Sequence, residues 1–305
     1  MANLILLAVC LLAGILLRAS GKIGAEGSKP LNLAVLYVAL PALILEHVHA
    51  LKFERGLLIP ALMPWLVFAA GAGLFLLLWR FGVLTREATG ALCLTAALGN
   101  TSFVGLPMIE AYYGKGLLGV GVMADQLGTF LCLNIPGILL ATRLASREGE
   151  KTSARKIGRK ALLFPPLLAL LIAVALRPFE YPEWANALLA RLGDTLTPLA
   201  LLSVGIQLRF GGIKSRGKEL GIGLGYKLLA APLLALALFG LLLGARGPVF
   251  QVTIFEAGMA PMITGSIVAQ EYGLDGELAA LLVGVGIPVS FLTLWGWFWV
   301  LAGFG

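Results

Sequence analysis

Long runs of apolar residues, separated by short polar segments, recur along almost the whole chain. Each run is close to the roughly 20 residues that a helix needs to cross a hydrocarbon core of about 30 Å. The pattern therefore predicts an all-α membrane protein with ten transmembrane helices. The predicted spans are 2–18, 30–50, 57–79, 87–113, 117–142, 161–177, 185–208, 219–243, 247–272 and 277–301.

Composition supports the same class. Of the 305 residues, 59% are hydrophobic and 13% are charged, and the mean hydropathy is +0.94. Soluble domains have about 45–50% apolar and about 25% charged residues. The cysteines lie inside apolar runs without a C-x-x-C pair, so we expect neither a disulfide framework nor a zinc site. We also find no nucleophile and base pattern and no phosphate loop, which argues against an enzyme. The cysteines are Cys10, Cys93 and Cys132.

Basic residues are concentrated in the loops that follow odd-numbered spans, above all in the segment 143–160. The positive-inside rule places such loops in the cytoplasm. We therefore predict a protein of the cytoplasmic membrane with both termini on the outer side. The same rule explains the net charge of +7 without nucleic-acid binding. The first apolar run lacks a basic segment before it, so we interpret it as the first span and not as a signal peptide.

Prolines within the spans reveal an internal repeat, because each proline of the first half has a counterpart in the second half at near-constant spacing. The matching prolines are Pro41, Pro107 and Pro136 in the first half, and Pro198, Pro261 and Pro288 in the second. Five spans per repeat is an odd number, so the two halves must have opposite topology. We predict a first repeat at 1–142, a basic cytoplasmic connector at 143–160 and an inverted second repeat at 161–305.

The fourth and ninth spans combine glycine, proline and polar side chains at mid-membrane depth, which predicts that both helices break, at Pro107 and Pro261. Kinking and close helix packing are the simpler explanation for one span, but a matching pair favours a binding site. Half-helix N-termini attract anions, whereas unwound carbonyls attract cations. The candidate substrate-binding residues are Asn100, Thr101, Ser102, Pro107, Pro261, Thr264 and Ser266.

Glu256 is a carboxylate within a span, which costs roughly 2.5–3.5 kcal/mol on insertion scales. Na⁺ could bind to oxygen atoms of Glu256 and the polar residues of span 4. Alternatively, a protonated Glu256 could carry a proton. Asp125 and Thr129 share a helix face and either join this site or hydrogen-bond the broken helices. The candidate cation-site residues are Glu256, Asn100, Asp125 and Thr129.

Other charged residues near the spans have simpler explanations. Glu271, Asp275 and Glu277 flank a short loop and are expected to be solvated. Glu46 and Lys227 lie near or inside spans, and we expect each to form an ion pair or to extend its charged end to the membrane surface.

Four segments of the chain resemble the auxin efflux carrier family. These are 31–43, the Gly-Asn-Thr…Gly-Leu-Pro stretch at 99–107, Asp-Gln-Leu-Gly at 125–128, and 198–205. The resemblance covers essentially the whole chain. It implies a ten-helix carrier, commonly a homodimer, with a scaffold domain and a transport domain that move in an elevator-like cycle. It also implies that helices 4 and 9 cross at their prolines and that organic anions bind beside the crossing.

The segment 256–259 departs from the plant carriers, which lack an acid at this position and are not driven by sodium. It is similar instead to the Glu-x-Gly-Met segment of the bile acid:sodium symporters, where the glutamate is a sodium ligand. Ala260 stands where that segment continues with glutamine. The resemblance therefore implies at least one cation site, centred on Glu256.

The residues and the resemblance together predict a secondary transporter of small organic anions that is coupled to Na⁺ or H⁺. Asn100 and the half-helix ends near Pro107 and Pro261 are expected to hold the substrate carboxylate. No cofactor is expected apart from a bound Na⁺. A passive, channel-like facilitator of organic anions is the alternative interpretation.

Overall fold

A computed structural model of the chain describes residues 2–49, 51, 55–145, 163–208 and 213–304. Within these ranges the protein is all-helical, and no strand longer than an isolated bridge is present. Residues 146–160 of the predicted connector lie outside the described residues. The helices are α1 (Ala2–Ala19), α2 (Ser28–His49), α3 (Leu58–Arg80), α4 (Arg86–Thr95), α5 (Leu106–Tyr113), α6 (Lys115–Leu144), α7 (Pro165–Ala175), α8 (Glu183–Gln207), α9 (Gly217–Leu242), α10 (Pro248–Ala257), α11 (Ile263–Glu271) and α12 (Gly276–Ala302).

Six helices in the described part of the chain are long and apolar enough to cross a membrane, namely α2, α3, α6, α8, α9 and α12. Their outward faces carry large apolar side chains; Leu292 and Trp299 of α12, for example, are 74% and 61% exposed. Apolar side chains on an outer surface suit contact with lipid chains better than contact with water. Helices α1 and α7 are apolar but shorter, and the count of ten spans stays a prediction.

Local sequence explains where several helices begin. Thr85 caps α4, because its hydroxyl accepts a hydrogen bond from the amide of Ala88. Asp275 caps α12 in the same way through the amide of Leu278. Such caps satisfy one of the amide groups that a helix start leaves without a partner. At Gly114 the backbone has a φ of 83°, a conformation that glycine adopts without strain, and the chain turns there from α5 into α6.

The chain divides into two compact units, and each takes segments from both halves of the sequence. Unit 1 comprises Met1–Arg55, Ser102–Val122 and Gly158–Leu208; unit 2 comprises Gly56–Thr101, Met123–Ile157 and Arg209–Gly305.

In unit 1, α2 packs against α7 and α8, and α1 packs against α8. The contact between α1 and α8 is closest at a pair of glycines. A methyl group at Gly14 would lie 2.3 Å from the carbonyl oxygen of Leu202, and one at Gly205 would lie 2.4 Å from that of Leu11. Small residues let the two backbones approach each other, which is typical of helix packing in membranes.

In unit 2, α3 packs against α4, α6 and α10, while α11 packs against α4 and α12. The core includes Phe75, Phe250 and Phe255, each at most 2% exposed. Helix α6 changes from α-helical to π-helical geometry at Ala124–Phe130, and α9 does so at Tyr226–Ala230. Short π-helical segments often occur at functional sites, but α2 of unit 1 also contains one at Val35–Ala39, so these segments do not by themselves mark the site.

Candidate functional site

Two interrupted helices meet in unit 2 through their backbones. Between α4 and the helical turn that begins at Thr101, and between α10 and α11, the chain is not helical. The amide of Asn100 donates a hydrogen bond of 2.8 Å to the carbonyl oxygen of Ala260, and the amide of Met262 donates one of 3.0 Å to that of Thr95. Backbone groups at membrane depth need partners inside the protein, and here each break supplies partners for the other.

Glycines allow the two segments to approach this closely. A methyl group at Gly265 would lie 1.8 Å from the carbonyl oxygen of Leu94, and one at Gly286 of the neighbouring α12 would lie 2.5 Å from the ring of Pro261. Pro261 itself faces Gly99 in an isolated antiparallel bridge. The crossing therefore depends on residues without side chains at the positions of closest contact.

The prediction that span 4 breaks at Pro107 is wrong in its position. The non-helical residues are 96–100, and Pro107 lies in the first turn of α5, directly after the π-helical segment Thr101–Gly105. A proline is tolerated near a helix start, because its missing amide hydrogen is not needed there. The break occurs instead where α10 and α11 offer backbone partners. Pro261, by contrast, lies within the interruption, as predicted.

Asp125 accepts hydrogen bonds at both carboxylate oxygens. The Thr101 hydroxyl donates to Oδ1, and Nε2 of Gln126 donates to Oδ2 at 2.7 Å. Asp125 is 4% exposed and belongs to the π-helical part of α6. It therefore hydrogen-bonds the segment that follows the first break, which is one of the two roles expected for it.

Glu256 lies in the last turn of α10 and is 1% exposed. Among the described residues, neither of its carboxylate oxygens has a hydrogen-bond partner, and neither has the hydroxyl of Thr129, which is 0% exposed. Buried polar groups are nearly always satisfied by the protein, by water or by an ion. Oxygen atoms that lack partners therefore mark a place where a small ligand fits.

Glu256 and Thr129 line a cavity of about 10 Å³, together with Thr101, Lys227, residues 97–99 of the first break and apolar residues of α3. A cavity of this size holds roughly one water molecule. Its donor set consists of a carboxylate and two hydroxyl groups, and hard cations prefer such oxygen ligands. The residues present therefore fit a single small cation, a proton carried by Glu256, or a water molecule.

Lys227 is the most unexpected residue of this cluster. It was expected to form an ion pair or to reach the membrane surface, but it is 2% exposed, and its ammonium donates a hydrogen bond of 2.9 Å to the carbonyl oxygen of Ala257. A lysine in the middle of an apolar span is a signal that the sequence contained. Its proximity to Glu256 depends on the packing of α9 against α10 and could not be derived from the sequence.

The remaining predicted residues are distributed over both units. Ser266 is buried in α11, and Thr264 of the same helix is exposed. Asn100 is buried at the crossing, 3% exposed. Ser102 is half-buried and Pro107 is buried; both belong to unit 1. The structure thus brings together in unit 2 Asn100, Thr101, Asp125, Thr129, Glu256, Pro261 and Ser266.

Comparison with known proteins identifies the family of this chain. A model of a family described as membrane transport protein matches residues 1–298. The chain belongs to the membrane transport protein family. This is the family of the auxin efflux carriers, which the sequence motifs resembled.

Relatives within the membrane transport protein family are similar over nearly their whole length. An uncharacterised transporter of Methanothermobacter thermautotrophicus is 29% identical over 293 residues, 95% of this chain and 94% of the relative. An uncharacterised transporter of Methanocaldococcus jannaschii is 26% identical over 301 residues, 95% of each chain. A protein of Rhizobium meliloti named as a candidate malonate transporter is 25% identical over 281 residues, 87% of this chain and 84% of the relative.

Proposed function

We propose that this protein is a secondary transporter of small carboxylates across the cytoplasmic membrane, coupled to the movement of Na⁺ or H⁺. The observation that carries the proposal is the buried Glu256 carboxylate, whose two oxygens lack partners among the described residues and face a cavity of cation size. A buried ionisable group within a span requires a partner or a function. A coupling cation supplies both.

The substrate class is argued from chemistry at the crossing. Helix α11 begins there, and the amide groups of a helix start favour a negative group such as a carboxylate. The relative named as a candidate malonate transporter makes malonate the first compound to test. In this proposal Asn100 and the start of α11 bind the substrate carboxylate, with Thr264 and Ser266 beside them, while Glu256 and Thr129 bind the cation.

The proposal includes the remaining architecture that the sequence predicts. The chain forms ten spans in two inverted repeats, with the termini outside the cytoplasm. Unit 2, which contains the crossing, acts as the transport domain; unit 1, to which Ser102 and Pro107 belong, acts as the scaffold. The protein works as a homodimer in an elevator-type cycle.

Reconstituted uptake tests this function. The purified full-length chain is placed in liposomes, and uptake of radiolabelled malonate is measured with inward gradients of Na⁺ or K⁺ at two pH values. We expect saturable uptake that an inward gradient of Na⁺ or of protons accelerates. Uptake that rises linearly with malonate concentration and ignores both gradients would support a passive facilitator instead.

Glu256→Gln isolates the role of the carboxylate, and Glu271→Gln is the matched control, because Glu271 is an exposed acid at the end of α11. We expect the first variant to lose the response to the cation gradient and the second to keep it. If both variants respond as the wild type does, the assignment of the cation to Glu256 is wrong.

A further inference from the structure

Lys227 lies beside the crossing, between two residues of α9 that are hydrogen-bonded to other helices. Its neighbours in α9 are both fixed by hydrogen bonds, since the hydroxyl of Tyr226 donates to the carbonyl oxygen of Val67 and the indole of Trp297 donates to that of Leu228. Lysine is almost never fully buried without a partner. Burial of a lysine between hydrogen-bonded neighbours therefore indicates that its ammonium has a function.

The partner of the ammonium is the end of a half-helix. Ala257 is the last residue of α10, and its carbonyl oxygen accepts the hydrogen bond from Lys227. Carbonyl groups at the C-terminal end of a half-helix carry partial negative charge and coordinate cations in interrupted transporter helices. The ammonium therefore takes a position that a free cation could otherwise take.

Gly99, in the break that follows α4, leaves room for the Lys227 ammonium. A methyl group at Gly99 would lie 3.1 Å from Nζ of Lys227, so a larger residue at that position would press on it. Lys227 lines the same cavity as Glu256, but it does not bond to this carboxylate, whose oxygens both lack a hydrogen-bond partner in the part of the chain that the structure describes. The Glu256 carboxylate therefore stays available to a cation, while the Lys227 ammonium lies at the wall of the cavity.

Three charged groups lie at or near the cavity, namely Glu256, Asp125 and Lys227. Glu256 interacts electrostatically with Asp125, which repels it, and with Lys227, which attracts it. With both carboxylates ionised and the lysine protonated, the three groups leave a single net negative charge. One monovalent cation neutralises this cluster, whereas the same cluster without the ammonium needs two, the second of them at the Ala257 carbonyl oxygen that Nζ occupies here.

We propose that Lys227 is a tethered cation that takes the place of a second bound monovalent cation, so that the site exchanges one cation fewer than its two carboxylates would allow. This inference rests on the proposed cation-coupled transport and specifies its stoichiometry. The alternative role, in which Lys227 binds the substrate carboxylate, fits less well, because the ammonium donates to a carbonyl oxygen and faces an acid.

The test is to count bound Na⁺. Purified full-length wild type, Lys227→Met and Lys227→Arg are titrated with ²²Na⁺ at constant ionic strength. We expect Lys227→Met to bind one Na⁺ more per chain than the wild type, and Lys227→Arg, which keeps the charge, to bind the wild-type number. An unchanged or smaller number in Lys227→Met overturns the proposal.

A charge-balanced variant covers the case in which Lys227→Met does not fold. Lys227→Met combined with Asp125→Asn again leaves one net negative charge and keeps the Glu256 carboxylate, whereas the Asp125 oxygens already accept hydrogen bonds from Thr101 and Gln126. We expect this double variant to fold and to bind the same number of Na⁺ as the wild type. If the double variant also fails to fold, Lys227 serves packing and the proposal is wrong.

Malonate uptake separates this inference from the proposed function. If wild-type liposomes show no malonate uptake, the transport proposal fails, but the comparison of Na⁺ numbers still decides the role of Lys227. If Lys227→Met raises the KM for malonate tenfold or more at an unchanged Na⁺ number, the lysine binds the substrate and the tethered-cation role is overturned.

Discussion

The backbone amide nitrogen of Asn100 lies 2.8 Å from the backbone carbonyl oxygen of Ala260, to which it donates a hydrogen bond. This bond joins residues from opposite halves of the sequence at the point where both helices are interrupted. The bond from Met262 to Thr95 completes the crossing. Each break therefore supplies a hydrogen-bond partner for the backbone of the other.

Gly265→Ala should destabilise the protein. The added methyl group would lie 1.8 Å from the carbonyl oxygen of Leu94, and forcing extra volume into a tight contact typically costs about 1–3 kcal/mol. We expect a lower Tm in detergent. Gly221→Ala is the control, because no atom of the described residues lies within 4 Å of the new methyl group and alanine favours the helix by roughly 0.5–1 kcal/mol. Equal Tm values for the two variants would contradict the close crossing of α4 and α11.

The effect of Thr129→Val on stability should depend on whether Na⁺ is present. The Thr129 hydroxyl is buried and has no hydrogen-bond partner within the described ranges, which costs about 1–3 kcal/mol. Without Na⁺ the variant should therefore melt at the same or a higher temperature than the wild type, whereas stabilisation by added Na⁺ should be reduced. Thr89→Val serves as the control, because its hydroxyl already donates to the carbonyl oxygen of Thr85. A full Na⁺ response in Thr129→Val would remove Thr129 from the site.

Thr101→Val should weaken the hydrogen bonding of Asp125. The Thr101 hydroxyl donates to this buried carboxylate, and a hydrogen bond to a charged group contributes about 1.5–3 kcal/mol. We expect a loss of stability in this range, measured by denaturant unfolding in detergent, and its recovery in Thr101→Ser. If the valine variant is as stable as the wild type, the hydrogen bond from the Thr101 hydroxyl contributes nothing to stability and the prediction is wrong.

Single cysteines should report the orientation of the chain. In a background in which Cys10, Cys93 and Cys132 are replaced, Glu180→Cys should react with a membrane-impermeant maleimide on intact cells, because Glu180 is exposed and lies in a loop predicted to face outside. Glu26→Cys, in a loop predicted to be cytoplasmic, should react only after permeabilisation. The reverse pattern would invert the proposed topology.

The sequence predicted the chemistry of the crossing better than its geometry. Glycine, proline and polar residues within apolar spans located the two interruptions, because such residues weaken a helix wherever they occur. The first break was nevertheless placed at Pro107, although residues 96–100 form it. Its position depends on which backbone groups of the second break lie opposite, and that is set by tertiary packing.

The position of Lys227 in the site likewise depends on tertiary packing and could not be predicted from the sequence. Its burial beside Glu256 follows from the way α9 packs against α10, which neither helix encodes by itself. The hydrogen bond between Asp125 and Thr101 was easier to predict from the sequence, because both are polar residues within apolar spans. Local sequence thus identified the acids, whereas only the fold identified the cation that accompanies them.

The exchange of backbone hydrogen bonds between the two breaks has a consequence for biosynthesis. While the ribosome has completed only the first half, the amide of Asn100 and the carbonyl oxygen of Thr95 have no bonding partners of the kind that the finished protein provides. In a bilayer each such group costs several kcal/mol. The fourth span therefore reaches its final form only after translation has passed Met262, and the two halves, expressed from separate messages, should each be degraded unless both are made together.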